Sequence, residues 1–168
     1  DFGFLLEEGG EVAGKDASFR WIIDPLDGTN NFIHAIPYWC ISIALEQTYA
    51  NGNKEIIAGV IYDPLHNEMF TAEKNKGAFL NGRRITASNR DNMEMAMLVT
   101  GNPRLSVQEG REASLLSAMA KHGAIMRFFG ATALDLAQLA AGRVDRADPG
   151  ASRRLADEWR GNRGDDPD

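Results

Sequence analysis

Several features that define common protein classes are scarce or absent in this sequence of 168 residues. It has one cysteine, Cys40, so no disulfide can form within the chain, as is typical of a reducing compartment. No apolar run approaches the roughly 20 residues that span a bilayer, and no signal-peptide pattern is visible. We therefore expect a cytoplasmic location and no membrane partner. Since the sequence begins with Asp1 rather than Met, we expect the natural chain to start further upstream.

An excess of positive charge is also lacking, because 18 Lys and Arg residues stand against 24 Asp and Glu residues, a net charge of -6. An acidic surface repels phosphate backbones, so nucleic acid is not an expected partner. A phosphorylated ligand would need local help from cations or backbone N–H groups. The composition, 43% hydrophobic and 25% charged, is ordinary for a globular protein.

Strand-like patterns come early in the chain and helical patterns come late. Short apolar or β-branched runs that predict strands lie at residues 2–6, 20–23, 39–46, 56–62, 69–72 and 124–129. Residues 9–17 are typical of a loop, and Asn81-Gly82 indicates a hairpin, so an antiparallel sheet is predicted between residues 39 and 85. Helical spacing of apolar residues predicts helices over 109–122 and 132–141, the second of them buried.

Two carboxylates three residues apart, Asp24 and Asp27, end the second strand in the segment Asp-Pro-Leu-Asp-Gly-Thr. Magnesium prefers oxygen ligands, and these carboxylates with a backbone carbonyl and the Thr29 hydroxyl are a suitable set. Gly28 permits a close approach to a ligand, and a helix that begins near Thr29 could receive phosphate on its free N–H groups. From these residues alone, a turn whose acids cap a helix remains the alternative.

Three other interpretations of the same region are weaker. Haloacid dehalogenase-type phosphatases carry Asp-x-Asp-Gly-Thr, but here Pro25 stands two residues before Asp27, where the nucleophile should be. Residues 9–15 approach a P-loop, but Asp16 occupies the position of its Ser or Thr. Cys40 and His34 could form a thiol site, although a cysteine within an apolar strand is usually core packing.

A wider resemblance supports the magnesium interpretation. Residues 21–32 read Trp-Ile-Ile-Asp-Pro-Leu-Asp-Gly-Thr-Asn-Asn-Phe and follow Glu7-Glu8, which resembles the signature of the inositol monophosphatase family. The resemblance covers nearly all of residues 2–145, including the segments at 41–45, 58–64, 77–82 and 127–145. It implies a mixed αβ fold in αβαβα layers, an Mg²⁺-dependent phosphatase that acts on a small phosphorylated polyol or sugar, and a homodimer.

The resemblance also implies roles for individual residues. Glu7, Asp24, the Leu26 carbonyl and Asp27 match the metal positions, and Glu7 and Thr29 match the groups that orient the water attacking phosphorus. The N–H groups of Gly28 and Thr29 match the phosphate site. Asp27 matches a contact to a substrate hydroxyl, and Gly130 and Thr132 match positions that line the sugar or inositol site. The catalytic set expected here is Glu7, Asp24, Asp27 and Thr29.

The resemblance stops abruptly after Asp145. The family continues with an acidic substrate contact and then a Trp-Asp-x-Ala-Gly motif whose Asp binds metal, whereas here Trp159 is followed by Arg160. Residues 146–168 are rich in Arg, Asp and Gly with few large apolar residues, and this composition is typical of disorder. We expect a first domain at residues 1–95 that carries the metal site, a truncated second domain at 96–145, and a divergent tail. A shift of reading frame, or a sequencing or assembly error, just after Asp145 would produce such a tail, and a genuine short variant with a disordered tail is the alternative.

The predicted activity is hydrolysis of inositol monophosphate or a similar polyol phosphate. The alternative substrates are those of related superfamily enzymes, namely fructose 1,6-bisphosphate, histidinol phosphate and 3'-phosphoadenosine 5'-phosphate. A different class of function is a non-catalytic fragment that keeps the fold. Because the missing region would supply much of the substrate pocket, the sequence leaves these alternatives open.

Overall fold

The structure, a computed structural model, describes residues 1–7, 9–100 and 117–147. Its strands are β1 (Phe2–Leu6), β2 (Gly10–Val12), β3 (Asp16–Asp27), β4 (Cys40–Thr48), β5 (Lys54–Asp63), β6 (Glu68–Glu73), β7 (Gly77–Leu80), β8 (Arg83–Ile85), β9 (Met97–Val99), β10 (Ile125–Arg127) and β11 (Arg146–Ala147). Two helices are α1 (Thr29–Ile33) and α2 (Thr132–Ala140), and residues 117–121 are also helical.

A large sheet organises the first part of the chain. Within the described residues it has eight strands in the order β2-β1-β3-β4-β5-β6-β7-β8, with β1 parallel to β3 and the other neighbours antiparallel. Along β4, buried residues alternate with half-buried ones, because successive side chains of a strand point to opposite faces. The antiparallel sheet predicted between residues 39 and 85 is confirmed.

The start of the large sheet differs from the prediction. Residues 9–17 were expected to be a loop, but Gly10–Val12 form β2, and β3 begins at Asp16. The strand expected at residues 20–23 also continues beyond Asp24 to Asp27. Both differences arise from pairing that local sequence patterns do not reveal, since β2 pairs with β1, and β3 is flanked by β1 and β4.

The hairpin between β7 and β8 is built as its sequence predicts. Asn81 and Gly82 both have positive φ angles, 47° and 77°, as the tight turns that fit twisted hairpins require. The Asn81 side chain also accepts a hydrogen bond from the backbone N–H of Met69 at 2.8 Å. The turn is therefore attached to β6 as well as to its own strands.

The main core lies where α2 packs on one face of the large sheet. Its buried members come from β4, β6 and the beginning of α2, and they are Cys40, Phe70, Ala131, Ala133, Leu134 and Ala137. Leu134 is fully buried, whereas the alanines around it allow α2 to approach the strands closely. The buried helix predicted at residues 132–141 is confirmed, with its end at Ala140.

In the part of the chain that the structure describes, a second sheet contains three parallel strands in the order β10-β9-β11. Arg146 and Ala147 in β11 pair with Leu98 and Val99 in β9, so the prediction that the disordered tail begins at residue 146 was wrong by two residues. The free edge of β9 provides the hydrogen bonds that composition alone did not indicate. The rest of that prediction, residues 148–168, lies outside the described residues.

The late part of the chain agrees with its predicted elements where it is described. Residues 117–121 of the helix predicted at 109–122 are helical, and residues 109–116 lie outside the described part. The strand predicted at 124–129 is present as β10. No helix within the ranges described is long and apolar enough to cross a membrane. The domain boundary expected at residue 95 lies between β8 and β9, and the division into two domains stays a prediction.

Candidate active site

The end of β3 carries an irregularity in its pairing with β4, between its two acids. β3 pairs with β4 at Asp24 and at Asp27, but the register shifts between these two residues. Pro25 has no N–H to donate to the sheet, and the N–H of Leu26 turns back to the Asp24 carboxylate at 2.8 Å. The strand therefore bends at this point, and two carboxylates and one carbonyl, that of Leu26, are gathered at the bend.

Gly28 and Thr29 connect this bend to α1. Gly28 precedes the helix with a φ of 94°, and a Cβ at this position would lie only 3.1 Å from Ala131 and from the Tyr38 carbonyl. Thr29 begins α1, as expected, and its hydroxyl donates to the Leu26 carbonyl at 3.0 Å. Glycine is required here both by the left-handed conformation and by the lack of space for a side chain.

Glu7 reaches the same end of the sheet through β1. The parallel register places Leu6 opposite Ile23, and the N–H of Glu7 donates to the Ile23 carbonyl at 3.2 Å. The residue that follows Ile23 is Asp24, so the backbones of Glu7 and Asp24 lie side by side where β1 and β3 are paired. Parallel strands end at the same edge of a sheet, so the backbones of Glu7 and Asp24, 17 positions apart in the chain, lie at one edge.

Asp27 joins the acidic bend to the beginning of α2. Its carboxylate accepts the backbone N–H groups of Ala133 at 2.7 Å and Thr132 at 3.3 Å. Burial raises the pKa of the Asp27 carboxyl, and these N–H groups oppose that shift by stabilising the charged form. The structure thus brings together two of the expected site residues, Asp27 and Thr132, which are 105 residues apart.

Gly130 lies against the α1 side of the site. Its φ is 87°, and a Cβ there would approach the Asn31 side chain to 3.1 Å. The Asn31 amide is buried and donates to two carbonyls at 2.7 Å, those of Tyr38 and Phe129. Asn31 therefore links the segment after β3 to the segment before α2.

Tyr38 and Asp135 form a second link between the same two segments. The Tyr38 hydroxyl donates to Asp135 at 2.7 Å, and the Tyr38 ring packs on Phe129 with 4.9 Å between ring centroids. Asp135 is only 3% exposed, and burial raises its pKa to about 7. Burial and the neighbouring carboxylate likewise raise the pKa of Tyr38 well above its usual range.

Cys40 lies beneath the acids and is fully buried. Its thiol lies 3.7 Å from the Asp27 carboxylate, and burial raises the thiol pKa well above its usual range, with further contributions from Asp27, Asp24 and Asp63. A thiol held in its neutral form is a poor nucleophile. The interpretation of Cys40 as a core residue is confirmed.

The segment that approaches a P-loop has the wrong structure for one. It contains β2 and leads into the strand β3, whereas a P-loop leads into a helix that receives phosphate. Lys15 pairs with Asp1 at 3.5 Å at an exposed position. The fold therefore agrees with the expectation that residues 9–15 are not a P-loop.

The donor set at the bend fits a hard cation. Glu7, Asp24 and Asp27 supply carboxylates and Leu26 supplies a carbonyl, which are the oxygen ligands that magnesium prefers. In the parts of the chain that the structure describes, no three His, Cys, Asp or Glu side chains form a ready-made metal cluster. The residues therefore fit magnesium in chemical type, with part of the ligand set already engaged in hydrogen bonds.

Three residues of this site escaped sequence reasoning: Asn31, Tyr38 and Asp135. Asn31 stands inside the signature segment, but nothing local indicates its buried amide. Asp135 had a usable signal, because an acid within an apolar, buried-type helix needs a partner. Tyr38 could be named as that partner only after the fold placed the two residues together.

Comparison with known proteins places the chain in a family. The profile described as "Inositol monophosphatase family" matches residues 1–147, and the chain belongs to this family. A curated relative, the inositol-1-monophosphatase of Mesorhizobium japonicum, is 43% identical over 148 residues, which cover 86% of this chain and 53% of the relative. Another, named Nus factor SuhB, from Xylella fastidiosa, is 42% identical over 146 residues, with coverages of 86% and 50%.

The fold agrees with solved structures of the same family. The crystal structure of the extragenic suppressor protein suhB from Bartonella henselae matches with a TM-score of 0.78 and 46% identity, covering 88% of this chain and 55% of that one. The mixed αβ architecture expected from the sequence is thereby confirmed. The chain spans about half the length of the curated relatives it matches.

Proposed function

We propose that this chain carries the catalytic half of a magnesium-dependent phosphomonoesterase that hydrolyses inositol monophosphate or a similar polyol phosphate. One observation carries the proposal. The Asp27 carboxylate accepts N–H groups from Thr132 and Ala133, so the acidic bend and the beginning of α2 form one continuous site. Such a site would offer the acids of the bend to a cation and the N–H groups at the entry of α1 to a phosphate.

Magnesium would be held by Glu7, Asp24, the Leu26 carbonyl and Asp27. When bound, it supplies positive charge that activates water and neutralises the transferring phosphoryl group. A chain with a net charge of -6 needs such a cation to accept an anionic substrate.

The chain's own residues would perform the remaining steps. The N–H groups of Gly28 and Thr29, at the entry to α1, would hold the phosphate. Glu7 and the Thr29 hydroxyl would orient the attacking water. The hydroxyl already bonds to the Leu26 carbonyl, which fixes its direction.

The polyol would lie against the beginning of α2. Gly130 and Thr132 border the space next to Asp27, and Asp27 would contact a substrate hydroxyl. No Lys or Arg lies between residues 130 and 141, so a second phosphate would find no cation on this segment. This supports a polyol monophosphate over a nucleotide bisphosphate. As in the sequence-based expectation, we propose a cytoplasmic homodimer.

A second candidate is a non-catalytic protein that retains the fold. It is favoured by the lack of a ready-made cluster of three metal-ligating side chains in the described ranges. Family members also carry names other than phosphatase, as the relative named Nus factor SuhB illustrates. Under this alternative, the acids would serve only to cap α2 and to shape the bend.

The test is phosphate release by the full chain, with and without magnesium, from inositol 1-phosphate, fructose 1,6-bisphosphate, histidinol phosphate and 3'-phosphoadenosine 5'-phosphate. We expect magnesium-dependent release that is fastest from inositol 1-phosphate but weak, because the Trp-Asp-x-Ala-Gly motif of the family is not found in this sequence. Asp24→Asn and Asp27→Asn should each abolish it without unfolding the chain, because each removes a charge facing the cation. Asp16→Asn, at the exposed start of β3, is the matched control. Absence of release from every compound would favour the non-catalytic alternative.

A further inference from the structure

We infer that Asn31, Tyr38 and Asp135 form a polar clamp that positions the two halves of the proposed phosphatase site against each other. One half is the bend and α1 entry at residues 24–29, and the other is the α2 entry at residues 130–133. The inference rests on the proposed function. None of the three clamp residues belongs to the metal, phosphate or polyol contacts proposed above.

The first part of the clamp is the Asn31 amide. It donates two hydrogen bonds of 2.7 Å, to the Tyr38 carbonyl and to the Phe129 carbonyl, and so uses both of its N–H groups. Asn31 is 9% exposed and lies in α1, two positions after Thr29, which is proposed to hold phosphate. Phe129 directly precedes Gly130 of the polyol side. The amide therefore spans the two halves of the site.

The second part is the bond between Tyr38 and Asp135. The hydroxyl donates to the carboxylate at 2.7 Å across 97 residues, and the carboxylate is 3% exposed. Asp135 lies in the first turn of α2, just beyond Thr132 and Ala133, whose N–H groups donate to Asp27. The Tyr38 carbonyl meanwhile lies against Gly28. Tyr38 thus lies against Gly28 at the α1 entry and also bonds to α2, the helix that carries Thr132.

The clamp residues act through position rather than through contact with reacting atoms. Tyr38 and Asn31 border the two glycines, Gly28 and Gly130, at which a Cβ would approach its neighbours to 3.1 Å. At such close approach, loss of one clamp bond moves the halves apart and disturbs the alignment of the site. Misplacement by a fraction of an ångström is enough to slow a reaction that depends on oriented groups.

A purely structural role is the competing explanation, because buried polar groups need partners in any protein. The two explanations predict different patterns. A structural role lowers the stability of the whole fold, so amide exchange accelerates throughout the core. A positioning role changes exchange at the junction, at Thr132 and Ala133, before it changes exchange in β4 at Ile43, which pairs with Val60.

The experiment compares four variants of the full 168-residue chain. Tyr38→Phe removes only the hydroxyl, Asp135→Leu removes the acceptor, and Asp135→Asn keeps an oxygen that can accept the bond. Tyr49→Phe is the matched control, because the Tyr49 hydroxyl also bonds to a carboxylate, that of Glu55 at 3.1 Å, away from the site. Each variant is measured by amide hydrogen exchange and by steady-state release of phosphate from inositol 1-phosphate.

We expect Tyr38→Phe and Asp135→Leu to accelerate exchange at Thr132 and Ala133 about ten-fold, the effect of losing one hydrogen bond. Their kcat should fall by a similar factor while the magnesium concentration for half-maximal rate stays unchanged. Asp135→Asn should restore both, and Tyr49→Phe should change neither. Unchanged exchange at the junction, or equal acceleration at Ile43, would overturn the clamp.

The two proposals fail in different ways. If the parent chain releases no phosphate with magnesium, the proposed function fails, and amide exchange alone then decides whether the clamp exists. If the parent is active and Tyr38→Phe alters exchange at the junction but leaves kcat unchanged, the clamp has no positioning role. If Tyr38→Phe alters neither quantity, the clamp is absent while the phosphatase proposal stands.

Discussion

Tyrosine hydroxyls bond to carboxylates in two regions of this molecule. Near the candidate active site, Tyr38 donates to Asp135 at 2.7 Å, and burial raises the Asp135 pKa to about 7. At the exposed turn between β4 and β5, Tyr49 donates to Glu55 at 3.1 Å, and there the pKa of the carboxyl is lowered, mainly by its bond to Lys74. The tyrosine hydrogen bond itself lowers the carboxyl pKa in both places, so the opposite net shifts come from the burial of Asp135 and from the Lys74 bond of Glu55.

The difference lies in solvent and in sequence distance. Tyr49 and Glu55 are six residues apart and exchange their bond with water at little cost, whereas Tyr38 and Asp135 are 97 residues apart and excluded from water. A bond of the second kind is made only when distant segments are already in place. The site end of the molecule is thus held by long-range buried bonds, and the hairpin end by local, solvated pairs.

The largest expected effect is in the core under α2. Leu134→Ala removes a fully buried side chain and should lower the free energy of unfolding by about 2–5 kcal/mol. Ile56→Ala, at a position 41% exposed in β5, is the matched control and should cost much less. Urea denaturation followed by circular dichroism measures both. Equal losses would mean that the two regions do not differ in packing as described.

The next effect concerns the buried carboxyl of Asp135. Its pKa is about 7 in the folded chain against 3.8 for the ordinary group, so the protonated acid stabilises the fold fully below about pH 4. This contribution is lost as pH rises towards about 7, because the unfolded chain releases the proton first. Asp135→Asn should therefore gain stability relative to the parent between about pH 4 and pH 8, on the order of 2 kcal/mol.

The measurement for Asp135 is urea denaturation of parent and variant across that pH range. The difference between the two proteins isolates this residue from the other acids. Glu55→Gln is the control with the opposite sign, because the Glu55 pKa is lowered in the folded chain, and its variant should lose stability as pH rises. If the difference in free energy of unfolding between Asp135→Asn and the parent does not change with pH, the raised pKa of Asp135 is contradicted.

The smallest effect concerns ion pairs near the surface. Arg143, after α2, makes two bonds of 2.6 Å to Glu68 in β6 and so joins the C-terminal end of α2 to the large sheet. Arg143→Ala should cost about 1 kcal/mol, because a paired guanidinium and carboxylate with good geometry contribute more than an isolated surface pair. Lys74→Ala, which breaks the exposed pair with Glu55, should cost less and lose its effect in high salt.

Local chemistry was predictable from the sequence, and long-range pairing was not. The residues expected at the bend fall within one short segment, so the features of a possible cation site and of a tight turn could be recognised together. They are Asp24, Leu26, Asp27, Gly28 and Thr29. The Asn81-Gly82 hairpin and the buried helix at α2 were predictable for the same reason, since each depends on a short pattern. Glu7 needed the family resemblance, because its approach to Asp24 depends on the register of β1.

The features that were missed depend on segments far apart in the chain. β2 and the first residues of β3 lie in a polar, glycine-rich stretch and become strands through their pairing with β1 and β4. The capping of α2 by Asp27 joins positions 105 residues apart, and no local pattern encodes it. Arg146 and Ala147 became a strand for the same reason, since only the position of β9 reveals their partner.

The bond from Asp27 to α2 also has a consequence for the order of folding. The hairpins from β4 to β8 bring together residues that are close in sequence, and such contacts form early. Asp27 cannot receive its N–H partners until Ala133 has been synthesised and has left the ribosome. During synthesis, the sheet is therefore expected to exist for a time before Asp27 has bonded to α2, and the candidate active site is completed last.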